Sequence, residues 1–139
     1  MSVVFPDYEE ASSLDRQVAQ LRIPPHSLEA ESSVIGGLLL DNTAWDKIGD
    51  VLIDVDFYRY EHRLVFSSVS TLINANRAAD VITVFEHLQT QGKADEIGGL
   101  AYLNSLAQYV PSSANIRRYA EIVRERSILR KLISVSDEI

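Results

Sequence analysis

An all-α fold, a compact bundle of about six helices, is predicted by three features of the 139-residue chain. Apolar residues recur at three- and four-residue spacing in segment after segment, the repeat that turns one side of a helix toward a core. No stretch sustains the every-second-residue alternation of a half-buried strand. Proline and glycine fall between the periodic segments, Gly36-Gly37 excepted, so the connections are short.

Residues 1–22 are acidic and serine-containing with scattered apolar positions, and predict a flexible N-terminal tail with a transient helix at 11–21. Pro24-Pro25 marks entry to a folded domain spanning 23–139. Ser27 then suits an N-cap, with Glu29 in the first turn favouring the helix dipole. Leu28, Val34, Ile35, Leu38 and Leu39 predict a helix over 28–40. Gly36 and Gly37 inside it cost roughly 1 kcal/mol each relative to alanine, which points either to close approach of another helix or to a kink. Asp41-Asn42 breaks the run. A short helix at 43–48 presents Trp45 and Ile48 inward, and Asp54 to Phe57 form a turn. The next helix, 61–74, carries Val65, Phe66, Val69, Leu72 and Ile73 on one side and stops at Asn76-Arg77. Thr83 and Glu86 have the spacing of a capping box, opening a helix that ends at Gly92, a natural left-handed terminus. Gly98-Gly99 precedes a short helix with Leu100, Leu103 and Leu106 inward. Pro111-Ser112-Ser113 is the last loop, and one long helix runs from Ala114 to the end.

The net charge of −7 is uneven. Residues 1–115 hold 7 Lys/Arg against 16 Asp/Glu, residues 116–133 hold 6 against 2, and the last six residues add two acids. The acidic body repels phosphates, and only the basic segment attracts them, so weak or no binding to DNA by this chain alone is expected. The plainer reading of that segment is a solvated helix face with internal ion pairs such as Arg117–Glu121. There are no cysteines, which excludes disulfides and thiolate metal sites. No secretory signal or membrane-length apolar run is visible, and a cytoplasmic location is expected.

Most catalytic chemistry is absent. The only Gly-Lys pair, Gly92-Lys93, is followed by alanine and preceded by no phosphate-cradling glycine, so there is no P-loop. His26, His62 and His87 lie far apart without metal-ligand spacing, and read as ordinary surface or half-buried histidines. Asp54 and Asp56 are a candidate carboxylate pair for acid–base work, although a turn rich in aspartate accounts for them without chemistry. The Phe57-Tyr58-Arg59-Tyr60 run could stack single-stranded bases, but Asp54, Asp56 and Glu61 surround it, which favours packing against the core. No catalytic, metal-binding or cofactor-binding residue is assigned.

PPHSLEAESSVIGGLLLDN at 24–42, DFYRYEHRLVF at 56–66, ADVITVFEHLQTQG at 79–92 and IGGLAYLNSLAQYVPSSANIRRYAEIVRERSILRKLI at 97–133 follow one another in an order that resembles the opening of the DnaB-type replicative DNA helicase family. The resemblance covers about residues 22–139. It implies the N-terminal collar domain of a hexameric, DNA-translocating ring, built as a trimer of dimers that receives primase and influences the helicase loader at the primosome. It places ATP, Mg and the passage of single-stranded DNA with a motor lying after this chain, and association with the nucleoid. The alternatives are a stand-alone α-helical adaptor without a motor, and a small enzyme using Asp54 and Asp56.

The last helix carries an argument of its own. At about 100° per residue, Ile116, Tyr119, Ala120 and Val123 share one stripe, whereas Ile128, Leu129, Leu132 and Ile133 fall on roughly the opposite face. One core cannot bury both. The first stripe packs on its own domain, and the second calls for another helix, from a second subunit or from a following hairpin arm, the plainer alternative being an exposed, fraying end. The resemblance supplies such a hairpin, of which this helix is the first arm. Arg126 and Arg130, one turn apart, are expected to meet carboxylates such as Asp46, Asp50 or Glu61 across that contact. Tyr102 lies off the Leu100–Leu103–Leu106 stripe and is expected to serve partner docking rather than the core, the plainer alternative being a tyrosine half-buried against the last loop. The residues singled out for subunit or partner contact are therefore Tyr102, Arg126, Ile128, Leu129, Arg130, Leu132 and Ile133.

Overall fold

A computed structural model describes residues 23–109 and 115–137. The stretch read as a tail, the Pro111–Ser113 loop, Ala114 and the last two residues lie outside the described residues. Six α-helices and no strand occur among those described: α1 (Leu28–Leu40), α2 (Trp45–Ile48), α3 (Tyr60–Asn74), α4 (Val81–Thr90), α5 (Gly99–Tyr109) and α6 (Ile116–Asp137), with 3₁₀ turns at 42–44, 54–56 and 95–97.

The bundle is organised around α1. Ser27 caps it by accepting from the Ala30 N–H at 3.2 Å. Residues Val34 to Leu39 are buried without interruption, because α5, α6 and α3 pack on different sides of the helix. Such encirclement is why α1 shows little sidedness. Gly37 marks a close approach and not a kink: a Cβ there would stand 2.9 Å from Ile116 Cδ1 at the start of α6. Asn42 ends α1 and bridges it to the segment before α4, donating to the Leu38 and Ala79 carbonyls and accepting from the Ala79 N–H.

The chain then layers α3 on α1, α4 on α3, and α5 on both α4 and α1, with α6 closing the far side of α1. The α4 start corrects the expected capping box. Asp80 is the N-cap, accepting from the Thr83 N–H at 2.9 Å while Thr83 Oγ1 accepts from the Asp80 N–H at 2.8 Å. Beginning at Val81 gives the helix an extra turn that lays Val81 against the core beside Val84 and Leu88, a gain that a start at Val84 would forgo. Gly92 is left-handed as expected, with φ 71°.

Candidate assembly and docking surfaces

α6 is two-faced. Ile116, Ala120, Val123 and Ser127 are buried, and Tyr119 is partly buried against the same core. Beyond Ser127 no described residue is buried: Ile128, Leu129, Leu132 and Ile133 are 42%, 43%, 60% and 48% exposed. A cluster of four aliphatic side chains half open to water is an unpartnered surface. Burying one fully is worth about 1.5–3 kcal/mol, so covering this stripe is favourable by several kcal/mol before association costs. Arg117 pairs with Glu121 at 3.7 Å, and Arg118 with Glu121 and Glu125 at 3.3 Å each, along the solvated face.

The Arg130 guanidinium is engaged within its own chain, donating to the Pro25 carbonyl at 2.9 Å and the Asp56 carbonyl at 2.6 Å and lying over the Tyr58 ring. Burial lowers its pKa from the usual arginine value, yet the group stays charged. Arg126 is half-buried. Of its expected partners, Glu61 is already paired with Arg59 at 2.8 Å on the same chain. The carboxylate that α6 does engage is one assigned to possible catalysis. Asp56 is fully buried and accepts from the Ile53 N–H, from Arg124 Nη1 and from Ser127 Oγ, at 2.8–2.9 Å each. Asp54 is exposed and bonds to the next N–H. With one carboxylate fully consumed by structural donors and the other on the surface, the two are no acid–base pair.

Tyr102 also differs from expectation. It packs partly against the core, and its hydroxyl lies 2.6 Å from Nε2 of the fully buried His62. His62 Nδ1 faces Glu31 Oε1 at 2.8 Å, and Glu31 itself is 1% exposed. Glu31 further accepts from the Tyr58 and Arg59 N–H groups, which precede α3 and have no helical partner. With Nδ1 donating to the carboxylate, Nε2 is left to accept the tyrosine proton. Burial raises the Tyr102 pKa, so the phenol remains a donor, and Arg59 lies over the outer face of its ring. His62 is therefore neither a surface nor a half-buried histidine. It is pulled inward because it shares the Val65–Phe66–Val69 stripe. Tyr102→Phe is expected to lower stability by about 1–3 kcal/mol in urea denaturation, since a buried ring nitrogen loses its partner. An unchanged midpoint would place the hydroxyl outside the network.

The aromatic run is used for packing. Phe57 is buried against Phe66, with centroids 4.8 Å apart, and Tyr58 stacks on His26 at 4.1 Å. Tyr60 is the most exposed of these aromatics, at 47%, with its hydroxyl 3.5 Å from Glu96 Oε2. A cleft of about 360 Å³ between α2 and α3 is lined by Trp45, Leu52, Phe66, Ser70, Asn74 and Asp54 among others. It offers one carboxylate and neutral polar groups, no acid–base pair. Among the described residues no group of His, Asp or Glu converges as a metal site, and no helix is long and apolar enough to cross a membrane.

What this geometry presents is a self-contained helical body with an unpartnered arm, and comparison with known proteins places it. Residues 23–125 match the sequence model of the DnaB-like helicase N terminal domain. The chain belongs to that family. It is similar to the replicative DNA helicase DnaB of Haemophilus influenzae, 45% identical over 130 residues, and to that of Geobacillus stearothermophilus, 41% identical over 118. These alignments take in 94% and 85% of this chain but only 28% and 26% of the relatives' length. Among solved structures, the N-terminal domain of DnaB helicase from Mycobacterium tuberculosis superposes with a TM-score of 0.81 at 38% identity, covering 84% of each chain. The corresponding domain from Helicobacter pylori, described with its interactions with primase, shares the fold at a TM-score of 0.69 and 24% identity, covering 79% of this chain and 85% of its own. The match to this N-terminal domain agrees with the resemblance read from the four sequence segments, and the described residues are all-α as expected.

Proposed function

We propose that this chain is the assembly and docking domain of a replicative DNA helicase. It self-associates through α6 as the first arm of a helical hairpin and builds one tier of a hexameric ring. The observation that carries this reading is the exposed Ile128–Leu129–Leu132–Ile133 stripe on a helix whose other half is buried. The relatives' names support the parent activity: ATP-dependent unwinding of DNA, with ATP and Mg held by a motor outside these residues. Single-stranded DNA would pass through the complete ring, since the acidic body here opposes a DNA site of its own. Primase and the helicase loader are the partners proposed for the domain, and the cytoplasmic nucleoid its location. The part of Tyr102 left open to solvent, together with the Arg59 guanidinium over its ring, is proposed as part of the primase-facing surface, the Tyr102 hydroxyl being held by His62.

Sedimentation tests the assembly reading directly. The apparent mass is expected to rise with concentration above the 15.6 kDa of one chain. A mass that stays at one chain throughout the soluble range would remove self-association through this domain.

A further inference from the structure

The body-facing stripe of α6 changes character along its length. Ile116, Ala120 and Val123 hold the helix by apolar contact over two turns, about 10 Å of axis at 1.5 Å per residue. Such contact is non-directional and tolerates tilting. The next positions on the same stripe are polar, Ser127, Arg130 and Ser134. Ser127 Oγ and Arg124 Nη1 both donate to Asp56 Oδ1 at 2.8 Å, while Arg130 Nη2 donates to the Asp56 carbonyl at 2.6 Å. The second arm of the Arg130 fork donates to the Pro25 carbonyl at 2.9 Å. Three donors spread over two turns of α6 thus converge on one residue of the 54–56 turn, and the fork adds the segment that leads into α1. After Arg130 every described residue of α6 is exposed. Among the described residues the polar cluster, which ends at Arg130, is the last attachment of the helix to the body, and the apolar stripe runs alongside and past it on the opposite face.

We infer that Asp56 and Arg130 are positioning residues that fix the angle at which residues 128–137 leave the body, and so aim the apolar stripe for a second copy. Hydrogen bonds are directional where apolar contact is not, and a planar fork bonded to two separate backbone carbonyls resists both tilt and roll of the helix. The consequence for assembly rests on the function proposed above, whereas the angle itself does not.

The chain has no cysteine, so spin labels at Ser67→Cys on α3 and Ser134→Cys on the arm report one intramolecular distance, with the labelled protein diluted in unlabelled chain to suppress contacts between copies. The parent is expected to give a narrow distance distribution. Arg130→Ala is expected to broaden it at least twofold and weaken self-association about tenfold, with the body still folded by circular dichroism. Arg130→Lys keeps the charge but reaches one carbonyl at a time, and is expected to fall between the two; it also serves if Arg130→Ala folds poorly. Lys131→Ala, on an exposed neighbour, is expected to match the parent. A folded Arg130→Ala or Arg130→Lys whose distribution stays as narrow as the parent's would overturn the inference. A broadened distribution with unchanged self-association would overturn its link to assembly. If the parent itself never associates, the assembly reading fails while the distance distribution still decides the latch.

Discussion

Replacing Glu31 with alanine is expected to destabilise the domain by about 3–5 kcal/mol, because one buried carboxylate accepts from three separate donors. Glu31 and His62 are 1% and 0% exposed and lie 2.8 Å apart. Removing the carboxylate leaves the buried His62 Nδ1 and the part-buried N–H groups of Tyr58 and Arg59 without their acceptor, and a buried donor left unpaired costs about 1–3 kcal/mol. The loss is a large fraction of the roughly 5–15 kcal/mol available to a domain of this kind. Glu31→Gln keeps one acceptor but turns an amide N–H₂ toward at least one donor, so a smaller loss is expected. His62→Ala should also destabilise, and the double substitution should cost clearly less than the sum, because the two groups share one network. Denaturant unfolding of the parent and the four variants measures this. Losses under 1 kcal/mol would show that the pair does not bear on stability, and strictly additive ones that the two groups act independently.

The second large effect separates the faces of α6. Val123→Asp is expected to unfold the domain, since Val123 is 1% exposed and an unpaired carboxylate in that position costs several kcal/mol. Leu129→Asp, six residues further on and 43% exposed, is expected to leave the fold and melting temperature nearly unchanged while abolishing the concentration dependence of the sedimenting mass. Unfolding by both substitutions would mean that the helix is held along its whole length. Undiminished self-association of a folded Leu129→Asp would place the contact elsewhere.

Much of the architecture was legible because helical order is local. The cap at Ser27, the start of α1 at Leu28, the left-handed Gly92 and the change of stripe within α6 each depend on residues within a few positions of one another. The capping box of α4 was misplaced by three residues because Asp80 and Thr83 are both competent caps, and only the packing of Val81 selects between them. The buried polar groups had a signal that was passed over. Glu31 is in register with Val34, Ile35 and Leu38; His62 with Val65, Phe66 and Val69; Ser127 with Ile116, Ala120 and Val123. A charged or polar side chain on an apolar stripe must find a partner inside.

The sequence by itself determined the all-α class, the order and approximate bounds of the helices, the absence of a P-loop from this chain, and the apolar stripe that α6 leaves uncovered. Tertiary structure decided which polar groups meet. Glu31 finds His62 across 31 residues, Asp56 finds Arg124 across 68, and Arg130 finds Pro25 across 105. It thereby drew Arg130 and the Tyr102 hydroxyl, both assigned to partners, into bonds within their own domain. Periodicity is written in neighbouring residues, whereas a buried hydrogen bond is specified only when distant segments are brought within 3 Å, and no spacing along the chain encodes that distance.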